Sequence, residues 1–181
     1  EFGTISSGAV MVPCSWFPAT AEMCRANPQM DMGVHATLNA EWDSYRWGPV
    51  STRDPQSGLL DKDGYLHQAP EPVYEQATEE AVAAELNAQV ERALAAGIDV
   101  THIDSHMGTI VNPKFVQSYL QAGMSRLIPV MLPRANAKGF DMMGVDEAAL
   151  AIYTPILQQL EAQGLPMLDG LFSMPLEHDN D

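Results

Sequence analysis

Short apolar segments alternate with longer amphipathic ones along most of this chain, and that alternation restricts its fold more than any other feature. "TISSGAVMV" reads as a strand of small and apolar residues, and "PATAEMCRANP" as a short helix between Pro18 and Pro28. "DMGVHATL" is the next strand. From Thr78, a suitable N-cap, a long helix begins, with Glu79 and Glu80 in its first turn and Val82, Leu86, Val90 and Leu94 forming an i, i+4 stripe. Gly97 can stop it in a left-handed conformation. "IDVTHIDSH" supplies a further strand, and "NPKFVQSYLQAG" a helix capped by Asn112, with Pro113 in its first turn and Gly123 as terminator. "RLIPVML", then "DEAALAIYTPILQQLEAQG" interrupted at Pro155, then "LPMLDGLF" repeat the order strand, helix, strand. The pattern predicts a parallel α/β arrangement, either an open sheet or a barrel.

The chain has 181 residues, 46% of them hydrophobic, which suits one globular domain spanning 1–181. One region, about 40–75, breaks the alternation. It is much longer than the ordinary connection of about 2 to 6 residues between a strand and a helix, and connections of that size are functional or disordered. Trp42, Tyr45, Trp47 and Tyr65 argue for the ordered, functional kind, because disordered tracts are poor in aromatics. "DKDG" within it reads as a tight turn with Gly64 at positive φ.

Charge removes one class of partner. With 24 acidic residues against nine Lys and Arg, the net charge is -15, which repels a phosphate backbone, so nucleic acid is not expected as a partner. Cys14 and Cys24 have neither disulfide-framework nor zinc-ribbon spacing, which favours a reducing, cytoplasmic setting. No apolar run approaches the ~20 residues of a membrane span.

The candidate chemistry lies at strand ends. His35 closes the strand containing "GVH" and His106 the strand containing "DSH", the positions at which parallel α/β folds place functional groups. A period of two puts Val100, His102, Asp104 and His106 on one face. Two converging imidazoles can ligate a divalent metal, and Asp104 can orient one of them. His102, deeper in the strand, reads as a packed core residue, and His67 and His178 as exposed. Serine-hydrolase, Walker, dinucleotide and zincin signatures are absent. Cys14, set in "MVPCSWFP" without a base beside it, reads as an ordinary thiol.

Four blocks, "SSGAVMVPCSWFP", "DMGVHATLNAEWDSYRWGPVS", "LLDKDGYL" and "THIDSHMGTIVNP", resemble in this order the YdjC-like family of carbohydrate deacetylases, which includes chitooligosaccharide deacetylases and a hopanoid-biosynthesis branch. The resemblance covers most of Gly3 to about Arg134. It implies a distorted TIM-like (β/α) barrel, incomplete in this chain, with a divalent metal ion, Mg2+ or Zn2+. His35 and His106 match two of the family's metal ligands. The third, an aspartate of an Asp-Asp-Gly-type motif, and a general-base aspartate are expected upstream of Glu1, and a His-Pro block beyond the last residue, so the chain looks truncated at both ends. Two departures from the family pattern are Met107 and Gly108, where many members carry a further histidine, and "HATLN" in place of His-Leu-Thr-Leu-Thr.

The implied activity is hydrolytic removal of N-acetyl groups from an amino-sugar or oligosaccharide. His35 and His106 hold the metal, Asp104 orients a ligand, and Arg46 and Trp47 receive the sugar. Three alternatives stay open: a non-catalytic carbohydrate-binding barrel, a structural barrel, and a metal-dependent hydrolase of another ester or amide. Association into a homo-oligomer is likewise left open.

Overall fold

A computed structural model describes residues 5–138 and 147–172. The chain divides into two compact units, Glu1–Val130 and Met131–Asp181. In the first, β1 (Ser7–Val10), β2 (Asp31–Ala36) and β3 (Val100–Ser105) form a parallel sheet in the order β1-β2-β3. Helix α1 (Phe17–Ala26) connects the first pair, while α2 (Pro70–Gln76) and α3 (Glu79–Ala95) lie between the second. Helix α4 (Val116–Met124) follows β3, after which the chain returns beside β3 through a parallel bridge between Ile103 and Val130. Each successive segment is thus added at the same edge of the sheet. The fold is mixed α/β, with a three-stranded sheet in this unit and a two-stranded sheet in the second.

Local chemistry explains these elements. The Thr78 hydroxyl accepts the Ala81 N–H at 3.1 Å, and α3 buries Val82, Leu86, Val90 and Ala93 along one side. Burial of each Val or Leu contributes about 1.5–3 kcal/mol. Gly97 takes φ +82° after the last turn, as expected of a left-handed stop.

The expected strand "RLIPVML" shrinks to that one bridge, in which the Ile103 N–H donates to the Pro129 carbonyl at 2.9 Å. Pro129 has no N–H with which to extend the ladder. Helix α4 begins at Val116 rather than Pro113, because residues 112–115 form a separate turn in which the Asn112 carbonyl accepts the N–H groups of Phe115 and Val116. Nor does Gly123 terminate the helix. It lies inside α4, where a Cβ would stand 2.5 Å from Ile128 O and Val130 Cγ1, so its role is to admit the returning chain.

The sheet also corrects the face expected for β3. Met32 pairs with Val100 but Val34 pairs with Ile103, so β3 carries one extra residue between these points. This bulge moves Val100, 7% exposed, onto the buried side with Ile103 and away from His102, Asp104 and His106. His102 is then held on the opposite face, its ring over Gly33.

The second unit contains β4 (Pro133–Lys138), α5 (Glu147–Ala162) and β5 (Leu168–Gly170), with β4 and β5 parallel. Strand β4 was not expected from the sequence, while α5 continues through Pro155 instead of being interrupted there. Arg134 forms ion pairs with Glu161 and Asp169. Among the described residues no helix is long and apolar enough to cross a membrane.

Candidate functional site

Parallel pairing places His35 directly opposite Asp104, and the His35 Nδ1 lies 2.7 Å from Asp104 Oδ1. His106 begins the 3-10 segment His106–Val111 at the end of β3, immediately before Met107 and Gly108, which both take left-handed backbone at φ 55° and 69°. Its Nδ1 stands 3.3 Å from His35 Nε2, and its Nε2 stands 2.9 Å from Glu41 Oε2. Asp104, His35, His106 and Glu41 thus form one row, carboxylate, imidazole, imidazole, carboxylate.

The row fixes where the imidazole protons sit. A carboxylate only accepts, so each outer ring nitrogen, His35 Nδ1 and His106 Nε2, carries the hydrogen it donates outward. In two neutral rings the facing nitrogens then both present lone pairs across 3.3 Å. Such a pair is repulsive until a proton or a cation stands between them. Burial, the largest influence, pulls His106 below the ordinary histidine range, while the Glu41 hydrogen bond and charge oppose it. The net effect favours the neutral, lone-pair form at pH 7. Among the described residues there is no set of three or more His, Cys, Asp and Glu side chains able to hold a metal ion.

Glu41 escaped the sequence reading, because it stands in the long insertion and nothing in its neighbourhood signals where that segment returns. Buried polar side chains at Asn39, His67 and Glu85 anchor the insertion. Buried Asn39 joins Trp47, His67 and Thr109 through its carbonyl and side-chain amide. His67 is 7% exposed and its Nε2 lies 3.1 Å from the Gly58 carbonyl, which corrects the expectation of an exposed residue. Glu85, fully buried on α3, accepts the Val50 and Ser51 N–H groups at 2.9 and 2.7 Å. His178 lies outside the described residues.

Trp47 lies near the site, and both it and Arg46 are inwardly engaged. Trp47 is 5% exposed, donates its indole N–H to Asn39 O at 2.8 Å, and has its ring centroid 6.4 Å from that of His106. Arg46 donates to Asp61 and to the Leu66 carbonyl, and its guanidinium lies 5.3 Å from the centroid of the Tyr65 ring. Tyr45, 40% exposed, packs edge-on against Trp47. Cys14 follows β1, and burial together with the Glu41 charge pushes its thiol up to about 11. It is therefore protonated at neutral pH and a poor nucleophile.

Comparison with known proteins places the chain in a family. The family described as YdjC-like protein matches residues 1–177. A carbohydrate deacetylase of Thermus thermophilus is 30% identical over 179 residues, covering 96% of this chain and 64% of the relative. A carbohydrate deacetylase of Brevibacillus brevis is 28% identical over 131 residues, covering 72% of this chain and 49% of the relative. The chain therefore spans less than two thirds of the length of these curated relatives. A crystal structure from Enterococcus faecalis, described as a candidate cellobiose-phosphate cleavage protein, superposes with a TM-score of 0.66 at 23% identity, covering 91% of this chain and 56% of that one. That likeness concerns the fold alone. With the family pattern matched from the first residue to residue 177, the chain belongs to the YdjC-like protein family.

Proposed function

We propose that this chain carries the histidine half of a metal-dependent carbohydrate deacetylase site, in a protein whose whole architecture is a closed, distorted TIM-like barrel forming one domain. The observation that carries the reading is the row Asp104, His35, His106, Glu41. Its two inner nitrogens face each other across 3.3 Å. Two ligands bound at about 2.0–2.1 Å to one tetrahedral ion are separated by about that distance. The two nitrogen donors therefore fit Zn2+ better than Mg2+, the other ion the resemblance implies, which favours oxygen ligands in octahedral geometry. Carbohydrate deacetylases among the relatives supply the reaction class.

A divalent ion so held supplies Lewis acidity for an acetyl carbonyl and lowers the pKa of a water. The chain's own residues do the rest. Asp104 and Glu41 fix the tautomers of His35 and His106 from outside, which keeps both inner nitrogens free of protons. A third ligand and a proton-accepting carboxylate would complete such a site. Arg46 and Trp47 act on the sugar through the rings they support: Arg46 underlies Tyr65, and Trp47 carries Tyr45, both of which are 40% exposed and suited to stacking on a sugar face.

The test is acetate release from N-acetylated chitooligosaccharides by the full-length protein, before and after chelation and metal return. Loss of release on chelation, recovery with metal, and its absence in His106→Ala are expected. Release that survives chelation, or that persists in His106→Ala, contradicts the proposal. Sugar binding without any release favours the non-catalytic alternative.

A further inference from the structure

The 3.3 Å separation between His35 and His106 runs from β2 to the segment just past β3, and the β2–β3 pairing fixes the chain only as far as Ala36 and Ser105, so the last step to His106 needs a further tie. The segment after His106 loses its helical regularity at Met107 and Gly108, which are both left-handed. Its position depends on ties to its neighbours. One such tie is made by Asn39.

Asn39 stands four residues after His35 and two before Glu41, and is fully buried. Its Nδ2–H donates to the His67 carbonyl at 3.2 Å, its Oδ1 accepts the Thr109 hydroxyl, and its own carbonyl accepts the Trp47 indole N–H at 2.8 Å. Thr109, 1% exposed, lies three residues after His106. One amide thus spans from the stretch bearing His35 and Glu41 to the stretch bearing His106, while its other end grips the returning insertion. Both ends of the amide are needed, because a buried donor or acceptor left alone costs its full desolvation.

We propose that the Asn39–Thr109 hydrogen bond is a positioning device that sets the spacing of His35 and His106 and keeps His106 Nε2 aimed at Glu41. Its relevance to function rests on the metal-site reading above, but its action on the two imidazoles is measurable without a metal. Thr109→Val removes only the hydroxyl and is close to isosteric. Thr109→Ser restores the hydroxyl. Asn39→Asp keeps the Oδ1 acceptor but sets an oxygen against the His67 carbonyl, so it breaks the junction from the other end. Val90→Ala weakens the α3 core and leaves the junction intact.

The experiment records imidazole 15N–1H spectra of the full-length, metal-free protein at pH 8, followed by Zn2+ titration of the same samples. In the parent, His35 is expected as the Nδ1–H tautomer and His106 as the Nε2–H tautomer. Thr109→Val and Asn39→Asp should turn the His106 signal into a tautomer average and weaken Zn2+ binding by about ten- to a hundredfold. Thr109→Ser and Val90→Ala should keep the parental spectrum. A parental His106 spectrum in Thr109→Val, or a failure of Thr109→Ser to restore it, overturns the proposal. If the tautomer change occurs as described while none of the proteins binds Zn2+, the positioning role stands and the metal reading falls.

Discussion

Replacing Glu85 should free part of the insertion from the body of the fold. Its carboxylate accepts the Val50 N–H at 2.9 Å, the Ser51 N–H at 2.7 Å and the Gln89 side-chain amide at 2.7 Å. Hydrogen bonds to a charged group contribute about 1.5–3 kcal/mol each, so three would amount to several kcal/mol if all were lost without replacement. Two effects reduce that sum. Burying the carboxylate is itself costly, and Ser51 is exposed, so water can reach its N–H once Glu85 is gone. A loss of about 3 kcal/mol is the expected result for Glu85→Leu. The apolar replacement does not become neutral, because two of the three partners are backbone donors that no substitution removes. At about 2–4 °C per kcal/mol for a chain of this size, the melting temperature should fall by about 6–12 °C. Thermal unfolding measures the total, and hydrogen exchange at Val50 and Ser51 locates it. A variant as stable as the parent, with both amides still protected, would refute the clamp.

Met107→Asn should stabilise the fold by about 1 kcal/mol, since Met107 is 46% exposed and holds φ 55°, a conformation that asparagine tolerates better; a lower melting temperature would show that the side chain is needed for packing. Gly33→Ala should cost about 3 kcal/mol, because its Cβ would lie 2.5 Å from the His102 ring and 2.6 Å from the His102 carbonyl. A second change, His102→Ala, should recover only part of that loss in the same melting assay, since the backbone contact remains. In the metal-free chain, His106 binds its proton less readily folded than unfolded, so the stability it contributes is present above about pH 6.5 and is lost as pH falls through its lowered value. The melting temperature should therefore drop on acidification from pH 7.5 to 5.5, and His106→Asn should flatten that slope; an unchanged slope contradicts the assignment.

The positions of His35 and His106 were legible because each ends an apolar strand, and strand ends are local features. Asp104 was legible for the same reason, being two residues from His106 along a period-two strand. Glu41 was not. What brings it to His106 is a set of buried polar ties at Asn39, His67 and Glu85, which join residues 28 to 70 positions apart and leave no periodic trace. The same limit explains His67, whose polar neighbours in sequence gave no sign that its backbone would bridge to Asn39. The β3 bulge was hidden by its own regular-looking alternation, since only pairing with β2 reveals that one residue is extra. Strand β4 was missed because "PRANAK" is polar and lacks the β-branched and aromatic residues that mark a strand.

If His35 and His106 share one divalent ion through their inner nitrogens, as proposed above, the ion's position can be read by diffraction. Crystals of the full-length protein grown with Zn2+, measured at the zinc absorption edge, would test that sharing most directly. An anomalous peak is expected at about 2.0–2.1 Å from both His35 Nε2 and His106 Nδ1, with Asp104 and Glu41 still bonded to the outer nitrogens. A peak bound through His35 Nδ1 or His106 Nε2, or a zinc site elsewhere with the two imidazoles sharing only a proton, would contradict it.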